Sequence, residues 1–299
     1  MPGAAQQLRL ATRGSRLALA QAERISEALG GAEVVPVRTA DGEVGDKARF
    51  VRGVERALLE GEADIGVHSA KDLPGELPEG LELVGVPERE DAADAFVGQA
   101  GALGELADGA RIGTSSLRRR SQLLALRPDL DVVELRGNVD TRLRRLAEGE
   151  LDGIVLAAAG LSRLGRSAEI SFRFTTEQMT PAPGQGSLAL EARGEDDDAA
   201  AACAGVTDRT ALVELTAERA ATTALGASCH TPVGVYASSD GGELVVWAFA
   251  GLADGGEWVR DRVSGDTNQP GALGEALAER MRGAGAGEIL ERAEAEVAP

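Results

Sequence analysis

The chain has 299 residues, of which 43% are hydrophobic and only 3% aromatic, with a net charge of −18 and two cysteines, Cys203 and Cys229. That length suits two or three domains whose cores are built from Ala, Val, Leu and Ile. The charge argues against a nucleic-acid binder, two cysteines are too few for a disulfide framework, no apolar run is long enough to span a bilayer, and no secretory signal opens the chain, so a cytoplasmic protein is expected.

Leu8 to Thr12 reads as a short apolar strand and Thr12-Arg13-Gly14-Ser15 as the turn after it. Ser15 is a suitable N-cap for a helix carrying Leu17, Ala18, Ala22, Ile25 and Leu29 at helical spacing, which Gly30-Gly31 ends. Val34 to Val37 is the next strand, and the polar, glycine-containing Asp41 to Ala48 is a mobile loop. Phe50, Val54 and Leu58 mark one face of a helix. Asp64 to His68 is a buried strand running into Ser69-Ala70-Lys71-Asp72-Leu73-Pro74. A hydroxyl, an ammonium and a carboxylate thus meet at the carboxyl end of a strand, where open α/β sheets bind ligands. Lys71 offers a donor to an anion, and Asp72 can give or take a proton. Leu83 to Val86 is a further strand, followed by a charged connector.

A second unit echoes the first. Glu60-Gly61-Glu62-Ala63-Asp64-Ile65 has a partner in Glu148-Gly149-Glu150-Leu151-Asp152-Gly153, and Thr12 to Ser15 a looser one in Thr114-Ser115-Ser116-Leu117. Two such units in tandem would enclose a cleft. In Gly113 to Arg120 a hydroxyl-rich cap opens a helix whose free N–H groups attract an anion. Arg118, Arg119 and Arg120 in its first turn oppose the helix dipole, so an anion is expected beside them. Leu135 to Arg142 repeats the theme, with Asp140 as the cap and Arg136 and Arg142 flanking the turn. Gly153 to Ala159 is a buried strand and turn, with Arg163 just after it.

Thr180-Pro181-Ala182-Pro183-Gly184-Gln185-Gly186 is a crossover back toward the first unit, leading to a strand over Leu188 to Glu191. The acidic Glu195 to Asp198 reads as a solvated run. Leu212 to Leu225 is helical and Gly226 to Pro232 a loop carrying Cys229. Val233 to Ala237, Leu244 to Gly251 and Trp258 to Ser264 alternate as antiparallel strands, and two helices, near Ala272 to Arg282 and Gly287 to Val297, close a small α+β domain. Cys229 on a small-residue loop can be a nucleophile, a covalent anchor or simply a buried thiol; Cys203, among alanines, reads as a core residue. The Cys–His adjacency does not have zinc spacing, so no metal is expected.

His68-Ser69-Ala70-Lys71-Asp72, Gly113-Thr114-Ser115-Ser116-Leu117-Arg118-Arg119, Leu135 to Arg142, Pro183-Gly184-Gln185-Gly186 and Thr216-Ala217-Glu218-Arg219-Ala220, followed by Cys229, occur in this order. In that order the chain resembles the hydroxymethylbilane synthases, also called porphobilinogen deaminases, from Leu8 to the C-terminal helices. The resemblance implies two α/β domains like those of type II periplasmic binding proteins, over 1–87 with 187–205 and over 91–181, and a small α+β domain over 209–299. It implies a transferase of heme and tetrapyrrole biosynthesis, a cytoplasmic monomer that passes its product to uroporphyrinogen III synthase. A dipyrromethane cofactor would be thioether-linked to Cys229. Four porphobilinogens would be deaminated and joined to it head to tail, with ammonia lost at each addition, and water would release hydroxymethylbilane.

Each pyrrole carries acetate and propionate, so the growing chain is a polyanion that needs a cationic, hydroxyl-bearing lining. By the resemblance, Lys71, Ser69, Thr114, Ser115, Ser116, Arg118, Arg119 and Arg136 hold the cofactor. Arg13, Ser15, Gln21, Arg142, Arg163, Lys47 and Phe50 bind substrate, the last two from the mobile loop. Asp72 is the catalytic acid and base. Glu43 departs from the family, falling in a shortened loop where many relatives carry lysine, and a carboxylate there disfavours a polyanion. A non-catalytic anion-binding protein of the type II fold is the rival reading; it would need neither Asp72 nor Cys229.

Overall fold

The computed structural model describes residues 7–38, 49–228 and 231–297, the side chains of Arg49, Phe50 and Val297 excepted. Contacts divide the chain into two units, Met1–Glu90 with Ser187–Leu212, and Asp91–Gly186 with Val213–Pro299. In chain order the elements of the first stretch are β1 (Arg9–Arg13), α1 (Arg16–Ala28), β2 (Glu33–Val37), α2 (Arg49–Leu59), β3 (Ile65–Ser69) and β4 (Leu81–Gly85). Then come β5 (Asp94–Gly98), β6 (Arg111–Gly113), α3 (Leu117–Leu126), β7 (Asp131–Val133), α4 (Val139–Ala147), β8 (Gly153–Ala157), α5 (Ala158–Arg163) and β9 (Phe172–Arg173). The chain returns through β10 (Leu188–Arg193) and α6 (Asp197–Val206) to α7 (Arg209–Leu225). It ends with β11 (Val233–Asp240), β12 (Glu243–Gly251), β13 (Trp258–Asp266), α8 (Pro270–Gly283) and α9 (Ala286–Val297).

The first unit is a five-stranded sheet in the order β2-β1-β3-β10-β4, parallel across β2-β1-β3, with β10 antiparallel to both neighbours. Leu10, Ala22, Ile25, Ile65, Val67, Leu190 and Cys203 form the core on one face, under α1 and α6. Ala11, Val54, Ala57, Leu58 and Leu81 form it on the other, under α2. The second unit repeats the plan: β7-β6-β8-β5-β9, parallel across β7-β6-β8, with β5 antiparallel to both neighbours. It also holds the antiparallel meander β11-β12-β13, whose core of Val235, Val246, Leu277, Met281 and Leu290 is closed by α7, α8 and α9. The fold class is the expected α/β one, with two α/β sheets of one strand order and a small α+β domain. No helix among the described residues is long and apolar enough to cross a membrane.

The short sequence echo is a structural repeat down to single atoms. Asp64 accepts the backbone N–H of Arg9 at 2.8 Å, and Asp152 accepts that of Arg111 at 2.7 Å. The reverse bonds, Asp64 N to Arg9 O and Asp152 N to Arg111 O, are both 2.9 Å. Each aspartate thereby pins the start of a first strand to the start of its parallel neighbour. Gly61 and Gly149, three residues before each aspartate, have φ of 69° and 79°, left-handed values that a side chain disfavours.

Two local expectations change, and one strand is added. Glu195 to Asp198 is no idle charge run: Asp196 caps α6 by accepting from Ala199 N at 3.0 Å, and Asp197 and Asp198 sit in the first turn, where the helix dipole favours them. Asn138, not Asp140, caps α4, accepting from Thr141 N at 2.9 Å, and Asp140 pairs with Arg166 instead. The apolar run Asp94 to Gly98, between two charged and glycine-rich segments, is a strand, β5, with Ala95 and Phe96 fully buried.

Beneath the Ser69–Asp72 turn lies a buried ionisable cluster. His68 Nε2 is 2.9 Å from Glu191 Oε2, with side-chain exposures of 3% and 0%. Gly66 makes room for the ring, since a Cβ there would come within 2.9 Å of His68 Nε2. Nearby Glu55 on α2 is raised above its ordinary value, chiefly by burial and then by the charge of Glu191. Glu191 Oε1 has no hydrogen-bond partner, so the carboxylate depends on its other oxygen. His68→Ala is expected to cost about 3–5 kcal/mol by stranding that carboxylate. Urea unfolding measures this, and a loss below about 1 kcal/mol, the level of an exposed pair, would refute it.

Candidate active site

In each α/β sheet the residues singled out in the sequence gather at the carboxyl ends of the parallel strands, the usual ligand edge of such a sheet. In the first unit Arg13 ends β1 and Ser69 ends β3 beside it. A short 3-10 turn, Ala70–Asp72, follows and is anchored where Ala70 N meets Ser187 O at 3.0 Å. Arg13 NH1 lies 3.7 Å from Asp72 Oδ2, which places a cation against the carboxylate. Gln21, buried on α1, shares hydrogen bonds with Ser69 Oγ at 3.0 and 3.3 Å and so ties the helix to the turn. Ser15 caps α1 through Ala18 N at 3.3 Å. Lys71 sits half-buried between Ser69 and Asp72.

In the second unit the ends of β6 and β7 carry the two polar turns. Ser116 caps α3, accepting from Arg119 N at 3.4 Å, and Thr114 Oγ1 accepts from Ser116 N at 3.2 Å. Arg142, in the first turn of α4, reaches across and donates from NH2 to Ser115 Oγ at 3.2 Å. Its Nε donates to Gly137 O at 2.8 Å.

The anion expected beside the α3 arginines is supplied by the protein itself. Asp94, at the start of β5, is fully buried, and its Oδ2 takes Arg118 NH1 at 2.6 Å. Its Oδ1 takes Arg118 NH2 at 3.1 Å, Arg119 Nε at 2.8 Å and Gln185 Nε2 at 3.1 Å. Arg118 NH1 also donates to Thr180 O and Arg119 NH1 to Val155 O, each at 2.8 Å. Burial alone would push the Asp94 carboxyl up, but the charges of Arg118 and Arg119 hold it well below the ordinary carboxylate range. Burial in turn lowers Arg119, against the pull of Asp94.

Arg142 is placed differently. Among the described residues its hydrogen bonds go only to neutral oxygens, and burial, followed by the like charge of Arg119, pulls its guanidinium down to about 10. A half-buried cation next to another cation favours a carboxylate beside it. The acetate and propionate groups of a dipyrromethane are of the kind this donor set fits.

Two further expected residues bond within the second unit. Arg136 makes an exposed pair with Glu134 at 2.6 Å. Arg163, at the end of α5, donates to Gly186 O at 2.6 Å and so braces the crossover. Lys47, the Phe50 side chain and Cys229 lie outside the described residues. Cys203 is fully buried, and its thiol is pushed up to about 12 by burial and by Asp196, which leaves it inert. Sequence reasoning missed Asp94 altogether; a lone acidic residue opening an apolar strand was the available signal.

A family model described as "Porphobilinogen deaminase, dipyromethane cofactor binding domain" matches residues 8–201, and "Porphobilinogen deaminase, C-terminal domain" matches 212–283. A porphobilinogen deaminase of Syntrophus aciditrophicus is 42% identical over 96% of this chain and 99% of that protein. One of Roseiflexus castenholzii is 45% identical over 95% and 98%. A TRAP periplasmic solute binding protein from Desulfovibrio salexigens is 13% identical over 67% of this chain and 72% of that one, with a TM-score of 0.41, too loose a likeness to bear on function. With both family models matched and relatives of this identity aligned almost end to end, the chain belongs to the porphobilinogen deaminase family.

Proposed function

We propose that the chain is a hydroxymethylbilane synthase that deaminates four porphobilinogens, joins them head to tail on a cysteine-linked dipyrromethane, and releases linear hydroxymethylbilane by hydrolysis. The observation that carries the reading at the level of the site is Arg142. It is a half-buried cation whose hydrogen bonds among the described residues go only to neutral oxygens, beside two hydroxyl-bearing turns and at the ligand edge of a sheet. Arg142, Ser115 and Thr114 form a seat for pyrrole carboxylates, and Arg118 and Arg119 add positive potential while Asp94 fixes their planes. When bound, the dipyrromethane supplies the terminal pyrrole carbon to which each new ring is joined. Cys229 is its attachment point, and the inert Cys203 is no rival.

Asp72 does the proton work. Its carboxyl gives a proton to the departing amine of porphobilinogen, so that the C–N bond breaks and ammonia leaves. As a carboxylate it faces the electron-poor methylene carbon, and it takes up the proton that the ring carbon later loses, which returns it to its starting state. Arg13 and Lys71, on either side, bind substrate carboxylates and cofactor carboxylates respectively. Ser69, Ser116 and Arg136 are further contacts to the cofactor, and Ser15, Gln21, Arg163, Lys47 and Phe50 further contacts to substrate.

The same reading divides the chain into domains over 1–87 with 187–205, over 91–181 and over 209–299. It also makes the protein a cytoplasmic monomer that hands its product to a uroporphyrinogen III synthase. A non-catalytic anion-binding protein is not favoured, because the relatives named above are deaminases along their whole length.

Intact mass tests the proposal. The parent, as purified or after incubation with porphobilinogen, is expected to carry the added mass of two linked pyrrole units, and Cys229→Ser to lack it. A parent that gains no mass and converts no porphobilinogen would refute the reading.

A further inference from the structure

Glu218, on α7, is a fully buried carboxylate that the anion lining does not use. Its Oε2 accepts the backbone N–H of Gly184 at 2.6 Å, and its Oε1 accepts that of Ala237 at 2.8 Å. One side chain therefore joins three segments of the second unit: helix α7, strand β11 and the Thr180–Gly186 crossover. In sequence, α7 and β11 are the elements on either side of Cys229.

The junction is tight on every side. Val235 N donates to Pro181 O at 2.9 Å, and a Cβ at Gly234 would come within 2.5 Å of Thr180 O. The crossover is held from below by the arginine knot, since Thr180 O accepts from Arg118 and Gln185 donates to Asp94. Polar contacts thus run without a break from the middle of α7 and of β11, through Glu218 and the crossover, to Asp94, Arg118 and Arg119.

Burying a carboxylate is a poor way to gain stability alone, because its desolvation offsets much of what its bonds return. What such a group does well is fix register: two backbone N–H groups from different segments each meet one oxygen, and slippage of either breaks a charge-assisted bond in a buried place. Sites that hold a ligand to within half an ångström or so need that kind of supporting shell.

We propose that Glu218 is a positioning residue whose carboxylate locks α7, β11 and the crossover in one register, fixing both ends of the segment that carries Cys229 against the Arg118–Arg119 knot. The inference rests on Cys229 being the attachment point.

The test compares Glu218→Gln, Glu218→Asp and a control, Val246→Ala, which removes volume from the core of the same meander without touching the crossover. Loading is followed by intact mass on incubation with porphobilinogen, amide exchange is read at Gly184 and Ala237, and stability is taken from urea midpoints. Glu218→Gln is expected to lose protection at both amides and to acquire the cofactor mass about tenfold more slowly than the parent, as loss of a charge-assisted buried bond implies. Glu218→Asp keeps the charge but shortens the reach, and is expected to load slowly too. Val246→Ala is expected to have a lowered midpoint yet to load like the parent. Parent-like loading and protection in both Glu218 variants would overturn the proposal, as would slow loading in Val246→Ala, which would make stability the cause. A parent that never gains mass would instead refute the attachment reading, and the two amides would still report whether Glu218 sets the register.

Discussion

Asp72→Asn is expected to lower kcat for porphobilinogen by about 10²–10⁴-fold while KM changes little. The reasoning starts from position. The turn that carries Asp72 follows β3 directly and is held by Ala70 N on Ser187 O and by the Gln21–Ser69 bonds, so the carboxylate is presented from a fixed base. Asparagine keeps the shape and can accept the same donors. It cannot give a proton to the leaving amine, face the electron-poor carbon with a charge, or take the ring proton back. All three losses fall on steps after binding, so they appear in kcat and equally in kcat/KM. In the function proposed above, cations and not Asp72 hold the carboxyl groups of the substrate, so its affinity is expected to stay largely intact. The comparison is made on protein whose cofactor mass has been confirmed, so that a loading defect is not read as a chemical one. Turnover within about threefold of the parent would remove Asp72 from the chemistry, the accepted worth of a general acid–base being far larger. A raised KM with unchanged kcat would make it a binding group.

Much of this arrangement was legible before any coordinates. Strands that alternate with helices of clear apolar spacing, and end in hydroxyl and glycine turns, carry their position with them. Ser15 caps the helix that its place before an apolar stripe suggested, and in the hydroxyl-rich cap read before α3 it is Ser116 that does so. The echo between Glu60–Ile65 and Glu148–Gly153 foretold two sheets of one plan, because Asp64 and Asp152 do the same job at the same place. What stayed hidden depends on contacts between distant parts of the chain. Asp94 lies 24 residues from Arg118 in sequence, and β5 joins its sheet between strands that follow it, so no local pattern links the carboxylate to the guanidinium groups. The dipole argument correctly demanded an anion at the start of α3 but could not say that the fold provides one. Glu218 was visible as part of a motif, yet its two backbone partners lie 34 residues before it and 19 after it. The exposed pair of Arg136 with Glu134, two residues earlier, was likewise not foreseen.

Asp94→Ala is expected to destabilise the protein by about 3–5 kcal/mol, since it leaves two buried guanidinium groups facing each other without a counter-charge. That is a large part of the 5–15 kcal/mol or so that holds a typical domain folded. Asp94→Asn separates charge from shape: the space stays filled, but an amide presents donors to donors, and most of the loss is expected to remain. The pH dependence gives an independent check with a fixed sign. Because Arg118 and Arg119 depress the folded value against the effect of burial, the contribution of the carboxylate is complete above the unfolded aspartate value of about 3.9 and is lost as pH falls through the folded one. The stability difference between parent and Asp94→Asn should therefore hold constant from neutral pH to about 5 and shrink only below about 4. Urea midpoints across that range measure it; a difference below about 1 kcal/mol, or one that grows as acid is added, would show that the pair is not the anchor described. A compensated variant, Asp94→Leu with Arg118→Met and Arg119→Met, tells structure from function. Apolar groups of similar size can replace a buried ion cluster without loss of stability. If the knot serves only the fold, that variant will acquire cofactor mass like the parent. If the arginines also supply potential to the seat at Arg142 and Ser115, it will fold well and load poorly, which is the outcome the geometry leads us to expect.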